Sequence, residues 1–446
     1  MYQLRNLLDK STGYTDNMHM TKPPKMIDID DMERAILVSV EPDQEMKPYA
    51  MEELTALVDT AGAVVVGEFY QKRHRPDAAY YIGPGKAKEL YAGVRDTNAN
   101  LVVVDSELSP AQARNLEEAV ECRVIDRTQL ILDIFAQRAQ TREGKLQVSL
   151  AQLTYLLPRL SNLYTKFERQ QGGIGVRGGQ GETKLETDRR KVRDTISDLE
   201  AQIAEVRLIR QNQRAHRRRL PFPSAALVGY TSAGKSTIMN AISGSEVLVD
   251  PKLFATLDPT TRRIELQDGW AVLLTDTVGF IRNLPTHLVA SFRATLEETI
   301  EADILIHIID ISHPHHLVQQ EAVLEVLDNL GAGEKPMITV FNKSDLVTNR
   351  ELLTERVEDT ENGVAISALN GEGVDDLMNL ITKCLRTLLV PVQLCLPYNR
   401  GELLSICHEF GRVLSTEYLE DGIHVNAELT RYAAGQVREY YLEKVN

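Results

Sequence analysis

The sequence is poor in cysteine and contains no long hydrophobic segment. Its four cysteines, Cys122, Cys384, Cys395 and Cys407, show no C-x-x-C spacing, which argues against a zinc knuckle and against a disulfide framework. No apolar run approaches the roughly 18 residues that a membrane span needs, and the first residues contain no signal-peptide core. We therefore expect a soluble, cytoplasmic protein with no membrane span. We also expect it to act as a monomer, although none of these features bears on its oligomeric state.

Acidic residues outnumber basic residues, 64 to 50, but the basic residues are concentrated in one segment. The formal net charge of the chain is −14, whereas residues 138–219 contain 18 Lys or Arg against 9 Asp or Glu. An acidic surface disfavours a nucleic-acid partner. A basic segment within it indicates an element that meets a polyanion. The alternative is an ordinary solvated pair of helices.

The N-terminal third alternates between apolar runs and helical stretches. Residues 1–34 are polar and aperiodic, so we treat them as a tail. Beyond them, the runs AILVSV, AVVVGEF, LVVVD and RVI are separated by helical patterns near residues 51–58, 85–94 and 110–120. This alternation predicts a small parallel α/β domain. The segment GPGKAK at 83–88 resembles a second phosphate loop, but because it has only two glycines we predict a turn from a strand into a helix.

Two apolar stripes with alternating spacings of four and three residues follow. Such stripes predict an antiparallel helical hairpin with arms of about 24 to 30 residues. The stripes consist of Leu146, Leu150, Leu153, Leu157, Leu160 and Tyr164 in the first arm and Val192, Ile196, Leu199, Ile203 and Val206 in the second.

The predicted tip of the hairpin reads QGGIGVRGGQGE and contains a G-x-G-x-x-G match at 173–178. A dinucleotide site with this fingerprint needs a strand before the first glycine, and here a helix precedes it. The glycines instead predict an adaptable cationic loop suited to a narrow cavity lined by phosphates. The candidate contact residues are Gly172, Gly173, Gly175, Arg177, Gly178, Gly179, Lys184, Arg189 and Arg190.

A nucleotide site is predicted further along, where the apolar run AALVG precedes GYTSAGKST. This segment satisfies G-x-x-x-x-G-K-[ST] between a strand and a helix. In such a loop, backbone N–H groups surround the β-phosphate, the lysine neutralises β- and γ-oxygens, and the serine hydroxyl ligates Mg²⁺. The loop residues assigned to the site are Gly229, Tyr230, Thr231, Ser232, Ala233, Gly234, Lys235, Ser236 and Thr237.

Segments further along the chain complete the order of motifs found in GTPases. VLLTDTVGF ends a strand at Asp276, which can hold a Mg²⁺-bound water, and supplies Gly279, whose N–H can meet a γ-phosphate. Between this segment and the phosphate loop, LFATLDPTTRR offers Phe254 as a site residue and Thr256 as the second Mg²⁺ hydroxyl. Thr260 and Thr261 are the alternatives to Thr256. The catalytic candidates are Lys235, Thr256 and Gly279.

The base-recognition residues lie in ITVFNKSD and AISAL. The carboxylate of Asp345 can accept hydrogen bonds from guanine N1–H and N2–H₂, donors that adenine lacks at these positions, so guanine is selected. Ala368 offers a backbone N–H suited to guanine O6. Asn342, Lys343 and Ser367 complete this part of the site.

These motifs together resemble the HflX-type GTPases. The matching text includes YIGPGKAKEL, DSELSPAQARNLE, GGIGVRGGQGETKLETDRR, GYTSAGKST, LFATLDPTTRR and DTVGFIRNLP. The resemblance implies GTP or GDP and Mg²⁺ as ligands, and the large ribosomal subunit and whole ribosome as partners. It also implies rRNA contacts by the N-terminal domain and hairpin, with the tip at 172–182 near the peptidyl-transferase centre.

The expected fold is a multidomain α/β protein with a doubly wound GTPase domain and a small C-terminal α+β domain. Ser232 replaces the asparagine that helps bind activating K⁺ in related GTPases, so the resemblance leaves K⁺ dependence open. The predicted divisions are an N-terminal tail at 1–34, the N-terminal domain at 35–140, the basic hairpin at 141–218, the GTPase domain at 219–388 and the C-terminal domain at 389–446.

The motif set predicts a GTPase, and the resemblance implies that it binds the large subunit in its GTP state and splits or rescues stalled ribosomes. Phe280 follows DTVG where Ras-like enzymes have a glutamine that orients water, so hydrolysis by the chain alone is expected to be slow and stimulated by ribosomes. The alternative is a nucleotide-regulated hibernation or assembly factor with negligible turnover. NKSD disfavours a metabolic kinase, because it selects guanine.

Overall fold

The computed structural model of the 446-residue chain describes residues 32–41, 47–160, 180–217, 222–244, 252–266, 271–282 and 293–442. These residues form two compact units, and the division falls after Ala204, inside a long helix. The first unit contains an α/β domain and a helical hairpin, and the second contains a mixed sheet and a smaller antiparallel sheet. Among the described residues, no helix is both long enough and apolar enough to cross a lipid bilayer.

A four-stranded parallel sheet forms the N-terminal domain and confirms the predicted α/β architecture. The strand order is β2-β1-β3-β4, and each neighbouring pair is parallel. All four residues of β3 are buried, as is typical of parallel sheets covered by helices. The strands are β1 (Arg34–Glu41), β2 (Val64–Lys72), β3 (Leu101–Val104) and β4 (Arg123–Asp126), and the helices are Lys47–Ala61, Pro84–Thr97, Pro110–Val120 and Arg127–Arg138.

The helix Arg127–Arg138 is not among those predicted from the sequence patterns. Asp126 is both the last residue of β4 and the N-cap of this helix, because its carboxylate accepts a hydrogen bond from Gln129 N at 2.8 Å. The strand therefore passes into the helix without the glycine or proline that usually marks such a junction in a sequence.

Arg159 fixes the base of the hairpin to the N-terminal domain. Its guanidinium lies 3.6 Å from the ring centroid of Tyr155 and donates to Leu108 O at 2.6 Å and to Asp126 Oδ2 at 3.3 Å. Asp126 is almost fully buried. Since breaking a buried ion pair leaves an uncompensated charge, Arg159 constrains where the first arm leaves the domain.

The two arms of the hairpin pack through the predicted stripes. The first arm is the helix Arg142–Leu156 and the short 3-10 turn Leu157–Arg159, and the second is the helix Gln180–Arg217. The cluster between the arms contains the buried side chains of Leu153, Leu160, Val192 and Leu199, with Leu146, Leu150, Leu156, Leu157 and Ile196 packed against them.

The second arm is longer than the stripes predicted. It has 38 residues, which is about 57 Å at 1.5 Å per residue, because helix-favouring residues continue on both sides of the stripe. The helix begins at Gln180, so residues 180–182 of the predicted tip are helical and the loop prediction was wrong there. Tyr164 and residues 172–179, with every predicted tip glycine and Arg177, lie outside the described residues, as does the side chain of Lys184.

The larger sheet of the second unit has six strands. Its order is β10-β9-β8-β5-β7-β6, and only β6 is antiparallel to its neighbour. In open α/β sheets ligands bind beyond the carboxyl ends of the parallel strands, so this edge positions the site. The strands are β5 (Ser224–Gly229), β6 (Thr260–Glu265), β7 (Ala271–Asp276), β8 (Ile304–Asp310), β9 (Met337–Asn342) and β10 (Gly363–Ala365), and the helices are Lys235–Ser243, Arg293–Glu301, His316–Asn329, Arg350–Glu358 and Val374–Arg386.

The C-terminal segment forms a separate antiparallel sheet, as the α+β prediction required. Its order is β11-β13-β12, formed by β11 (Val390–Leu396), β12 (Gly411–Leu419) and β13 (Gly422–Leu429). Alternate residues of β11 and β13 are buried in one core with side chains of the helices Gly401–Glu409 and Arg431–Gln436. The opposite face of the sheet is therefore free of this core.

Asp133 is a half-buried acid that should limit the stability of the N-terminal domain. Burial raises the pKa of its carboxyl from 3.8 to about 6, against the lowering effect of Arg123. A folded-state pKa above the unfolded value means that the stability present at low pH is lost as the pH rises through 6. We expect Asp133→Asn to raise the unfolding temperature at pH 8 by a few degrees, an effect of about 1 to 3 kcal/mol.

The measurement is thermal unfolding of the wild type and the variant at pH 8 and pH 4. The gain should shrink at pH 4, where the wild-type carboxyl is largely protonated in the folded state. Asp96→Asn, at an exposed position of the same domain, serves as the control and should change neither value. An equal gain at both pH values would contradict the explanation by burial of charge.

Candidate nucleotide-binding site

The phosphate loop joins β5 to the helix Lys235–Ser243 and depends on two glycines. Gly229 has φ +157°, and a Cβ there would lie 2.4 Å from Ile308 O. Gly234 has φ +99°, and a Cβ there would lie 2.2 Å from Asn342 Nδ2. Both positions therefore exclude side chains, which keeps the backbone close to β8 and β9. The exposed Ser232 also has a left-handed backbone, with φ +62°.

Lys235 directs its charge into the loop. Its Nζ donates to Gly229 O at 3.1 Å and Tyr230 O at 2.7 Å, and the residue is 7% exposed. Burial lowers its pKa to about 8, while the charge of Asp276 acts in the opposite direction. A phosphate beside this ammonium would favour the charged form and raise the pKa again.

The pH dependence of GDP affinity tests this environment. Below pH 8 Lys235 is charged in the free and bound protein, so affinity should be constant. Above pH 8 only the bound protein keeps the proton, so affinity should fall by up to about tenfold per pH unit. Fluorescence titration with a labelled GDP at pH 7, 8 and 9 measures this slope. Lys235→Arg, with a guanidinium that stays protonated, should remove the slope, and an unchanged slope in this variant would assign it to another group.

Ser236, Thr256 and Asp276 converge beside the loop. Ser236 Oγ donates to Asp276 Oδ2 at 2.7 Å and lies 3.0 Å from Thr256 Oγ1, which donates to Asp276 Oδ2 at 3.1 Å. Thr261 instead pairs with Thr275 at 2.9 Å, and Thr260 is exposed. Of the three threonines considered from the sequence, Thr256 is therefore the one placed next to Ser236.

These three residues fit a magnesium ion, which the motif set implies. Their donor atoms are oxygens of two hydroxyls and one carboxylate, the kind that Mg²⁺ prefers. Asp276 Oδ1 is buried and has no hydrogen-bond partner among the described residues. Burial raises the pKa of Asp276, and the hydrogen bond from Ser236 and the charge of Lys235 lower it. A divalent cation would stabilise the carboxylate at this position.

The segment after β7 is bonded directly to the phosphate loop. Phe280 N donates to Gly229 O at 3.1 Å, and Thr231 N donates to Phe280 O at 2.8 Å. The Phe280 ring is 2% exposed. A Cβ at Gly279 would lie 2.9 Å from Thr231 Cγ2 and 3.1 Å from Lys235 Nζ. Gly279 thus lets this backbone approach the loop, while Phe280 packs in the interior and presents no polar group to a water molecule.

Asn342 ties the phosphate loop to the base-recognition loops. Its Nδ2 donates to Ala233 O at 2.8 Å, its Oδ1 accepts from Ala368 N at 3.1 Å, and the side chain is almost fully buried. The N–H that the sequence analysis assigns to guanine O6 therefore already has a protein partner. Ser367 is fully buried, and its N donates to Glu372 O at 2.9 Å, which fixes the loop.

Lys343 and Asp345 follow β9 at the same edge of the sheet. Lys343 has φ +62°, and its Nζ donates to Asp310 Oδ2 at 2.6 Å. Asp345 lies in the short 3-10 helix Ser344–Leu346 and is half-buried. Phe254 is buried with φ +53°. The structure thus gathers the phosphate-loop, magnesium and base-recognition candidates at the carboxyl edge of one sheet.

Asp310 and His307 are two further residues of this site that were not predicted from the sequence. Asp310 ends β8 as Asp276 ends β7 and Asn342 ends β9, and this shared position is the signal that could have identified it. His307 is 1% exposed in β8, and burial lowers its pKa to about 4. His307 lies in the middle of an apolar strand, and this position in the sequence does not mark it as a site residue. Of the predicted polyanion contacts, Arg190 is exposed and Arg189 half-buried on the second arm.

The sheet, the phosphate loop and the NKSD segment define a P-loop GTPase, an enzyme that binds GTP or GDP and hydrolyses GTP. Family models match four consecutive parts of the chain. They are described as GTP-binding GTPase N-terminal (48–136), GTP-binding GTPase Middle Region (138–217), 50S ribosome-binding GTPase (224–343) and HflX C-terminal domain (352–440).

The chain belongs to the HflX family of GTPases. It is 47% identical over 396 residues to GTPase HflX of Lacrimispora saccharolytica and 43% identical over 398 residues to GTPase HflX of Escherichia coli K12. Each alignment covers 89% of this chain and 93% of the relative. A GTP-binding protein of Sulfolobus solfataricus in complex with GDP is 24% identical, with a TM-score of 0.42 over 80% of this chain and 100% of that chain.

Proposed function

We propose that this GTPase binds the large ribosomal subunit in its GTP state, acts there in splitting or rescuing stalled ribosomes, and is released after hydrolysis. It would act as a monomer in the cytoplasm. The family model described as a 50S ribosome-binding GTPase covers 224–343 and supports this partner. The observation that carries the proposal is a group of four basic residues within residues 189–193, on the second arm of the same chain that holds the GTP site.

The second arm separates its apolar and cationic residues by face. Val192 is fully buried against the first arm, while Arg190, Lys191 and Arg193 beside it are exposed. Lys191 Nζ lies 3.9 Å from an Asp188 carboxylate oxygen, and an Arg193 guanidinium nitrogen lies 3.8 Å from a Glu186 carboxylate oxygen. Ion pairs this long at the surface contribute little to stability, so both basic side chains could exchange these partners for phosphates. Residues 189–193 would thus offer positive charge to the phosphates of rRNA without loss of the packing between the two arms.

Magnesium would be held by Ser236, by Asp276 through water, and by Thr256 when a γ-phosphate is present. Bound there, the ion would neutralise the phosphate charge that develops during hydrolysis. Lys235 would neutralise the β- and γ-oxygens, and Gly279 would bring its N–H to the γ-phosphate. Thr256 lies in the segment between the phosphate loop and β6. Binding of its hydroxyl to the magnesium ion would therefore order that segment in the GTP state.

The rate of GTP hydrolysis with and without purified large subunits tests the proposal. The buried Phe280 supplies no group to orient water, so the subunit is expected to stimulate turnover by at least about tenfold. Small subunits at the same concentration serve as the control and should give no stimulation. Equal rates with both subunits would favour a nucleotide-regulated RNA-binding factor without ribosome-coupled turnover.

The charge of the second arm gives a separate prediction. Arg189→Glu with Arg190→Glu should weaken binding to large subunits and reduce the slope of log affinity against log salt by about 1 for each lost phosphate contact. Co-sedimentation at several salt concentrations measures this slope. Asp198→Asn with Glu200→Gln, at exposed positions of the same helix, is the matched control. Equal salt slopes in wild type and the arginine variant would exclude these phosphate contacts.

A further inference from the structure

The outer face of the C-terminal sheet brings a thiol next to an imidazole. Cys395 in β11 and His424 in β13 are direct cross-strand partners. Their neighbours Leu394, Leu396 and Ile423 point into the core. Because side chains alternate along a strand, Cys395 and His424 share the opposite face, and both are partly accessible to solvent.

A carboxylate completes this cluster from the turn between β12 and β13. His424 Nε2 lies 3.1 Å from Asp421 Oδ1 and 3.0 Å from Asp421 Oδ2. Cys395 Sγ lies 4.0 Å from Asp421 Oδ2. One sulfur, one nitrogen and one oxygen atom thus all lie within 4.8 Å of one another. Ligands around a tetrahedral zinc ion are separated by about 3.5 Å, given Zn–S and Zn–N bonds of about 2.3 and 2.0 Å, so small side-chain rotations would suffice.

Gly422 keeps the space beside the thiol open. It has φ +152°, and a Cβ there would lie 3.0 Å from Cys395 Sγ and 2.8 Å from Leu396 O. A side chain at this position would displace the thiol or the strand. The glycine therefore permits the close approach of β11 to the turn that carries Asp421. Glu417, the cross-strand partner of His424 in β12, is exposed beside the cluster.

We propose that Cys395, Asp421 and His424 form a binding site for a divalent transition-metal cation of the zinc type. The mixed set of thiolate, imidazole and carboxylate suits Zn²⁺ and disfavours Mg²⁺, which prefers oxygen donors. On binding, the thiol proton passes to solvent, and the imidazole proton resides on Nδ1 so that Nε2 can ligate the ion. Water completes the tetrahedron. The ion would join β11 to the β12–β13 turn.

Cobalt(II) provides a direct probe, since a bound thiolate gives a charge-transfer absorption in the near ultraviolet. The full-length protein, freed of metal with a chelator, is saturated with GDP and Mg²⁺ to occupy the nucleotide site and is then titrated with Co²⁺. We expect one equivalent to produce the band and Zn²⁺ to remove it by displacement. Cys395→Ser should abolish the band, and His424→Gln and Asp421→Asn should each weaken Co²⁺ binding at least about tenfold.

Cys122→Ser is the matched control, because Cys122 lies in the N-terminal domain. It should keep the band. Circular dichroism and the rate of GTP hydrolysis should match the wild type in all four variants, which establishes that loss of the band is not loss of fold. A further expected result is that Zn²⁺ raises the unfolding temperature of the wild type but not of Cys395→Ser. Absence of the band at saturating Co²⁺, or a band that survives Cys395→Ser, would overturn the proposal.

Discussion

Replacing Asp345 with asparagine is expected to lower the affinity for GTP by roughly 10³-fold or more, because a site built around hydrogen bonds discriminates strongly when they are lost. The carboxylate offers acceptors to guanine N1–H and N2–H₂, whereas the amide places a donor against one of these groups. Xanthine carries a carbonyl oxygen where guanine has N2–H₂. The variant should therefore bind XTP more tightly than the wild type does. Equilibrium titration with labelled GTP and XTP measures both effects.

Two controls separate base recognition from loss of fold. Asp359→Asn, at an exposed position of the same domain, should leave both affinities unchanged. ATP should bind poorly to wild type and to the Asp345 variant, since adenine has neither the N1–H nor the N2–H₂ donor of guanine. Equal affinity of the Asp345 variant and the wild type for GTP would show that this carboxylate does not contact the base.

Replacing Thr256 with alanine is expected to slow GTP hydrolysis by about 10²-fold while leaving GDP affinity within about twofold. The reason is that its hydroxyl lies 3.0 Å from Ser236 Oγ and 3.1 Å from Asp276 Oδ2, where it can join a magnesium ion that also contacts a γ-phosphate. GDP lacks that phosphate, so its binding does not need this hydroxyl. Single-turnover hydrolysis and GDP titration measure the two quantities.

The matched control is Thr261→Ala. Thr261 follows in the same segment, but its hydroxyl bonds Thr275 at 2.9 Å, so hydrolysis should stay close to the wild-type rate. Ser236→Ala should give the contrasting result. Because the Ser236 hydroxyl is needed in both nucleotide states, its loss should weaken the binding of GDP and of GTP to a similar extent. If Thr256→Ala weakened GDP binding as strongly as it slowed hydrolysis, its role would be structural and the switch explanation would fail.

Features encoded in contiguous residues could be predicted from the sequence. The phosphate loop was predictable because Gly229, Gly234, Lys235 and Ser236 lie within eight residues, and strand and helix patterns flank them. The parallel N-terminal sheet and the hairpin stripes were predictable for the same reason, since periodicity reports which face is buried. The length of the second arm was underestimated because a helix can continue beyond its apolar stripe.

Contacts between distant residues could not be predicted in this way. Asn342 bonds Ala233, 109 positions away, and Ala368, 26 positions away, and nothing in NKSD states that both partners are backbone groups. The pairing of Lys343 with Asp310 likewise depends on β8 and β9 being neighbours in the sheet. The cluster of Cys395, Asp421 and His424 shows no metal-binding spacing in the sequence, because the register of β11 and β13 brings it together.

We expect the GTP state of this protein, and not its GDP state, to bind the large ribosomal subunit. Sucrose-gradient sedimentation of whole ribosomes with the protein and either GDP or a non-hydrolysable GTP analogue tests this expectation most directly. We predict that the analogue alone moves the protein into the large-subunit fractions and lowers the whole-ribosome peak. Equal sedimentation of the protein with ribosomal particles in GDP and in the analogue, or none in either, would contradict the account.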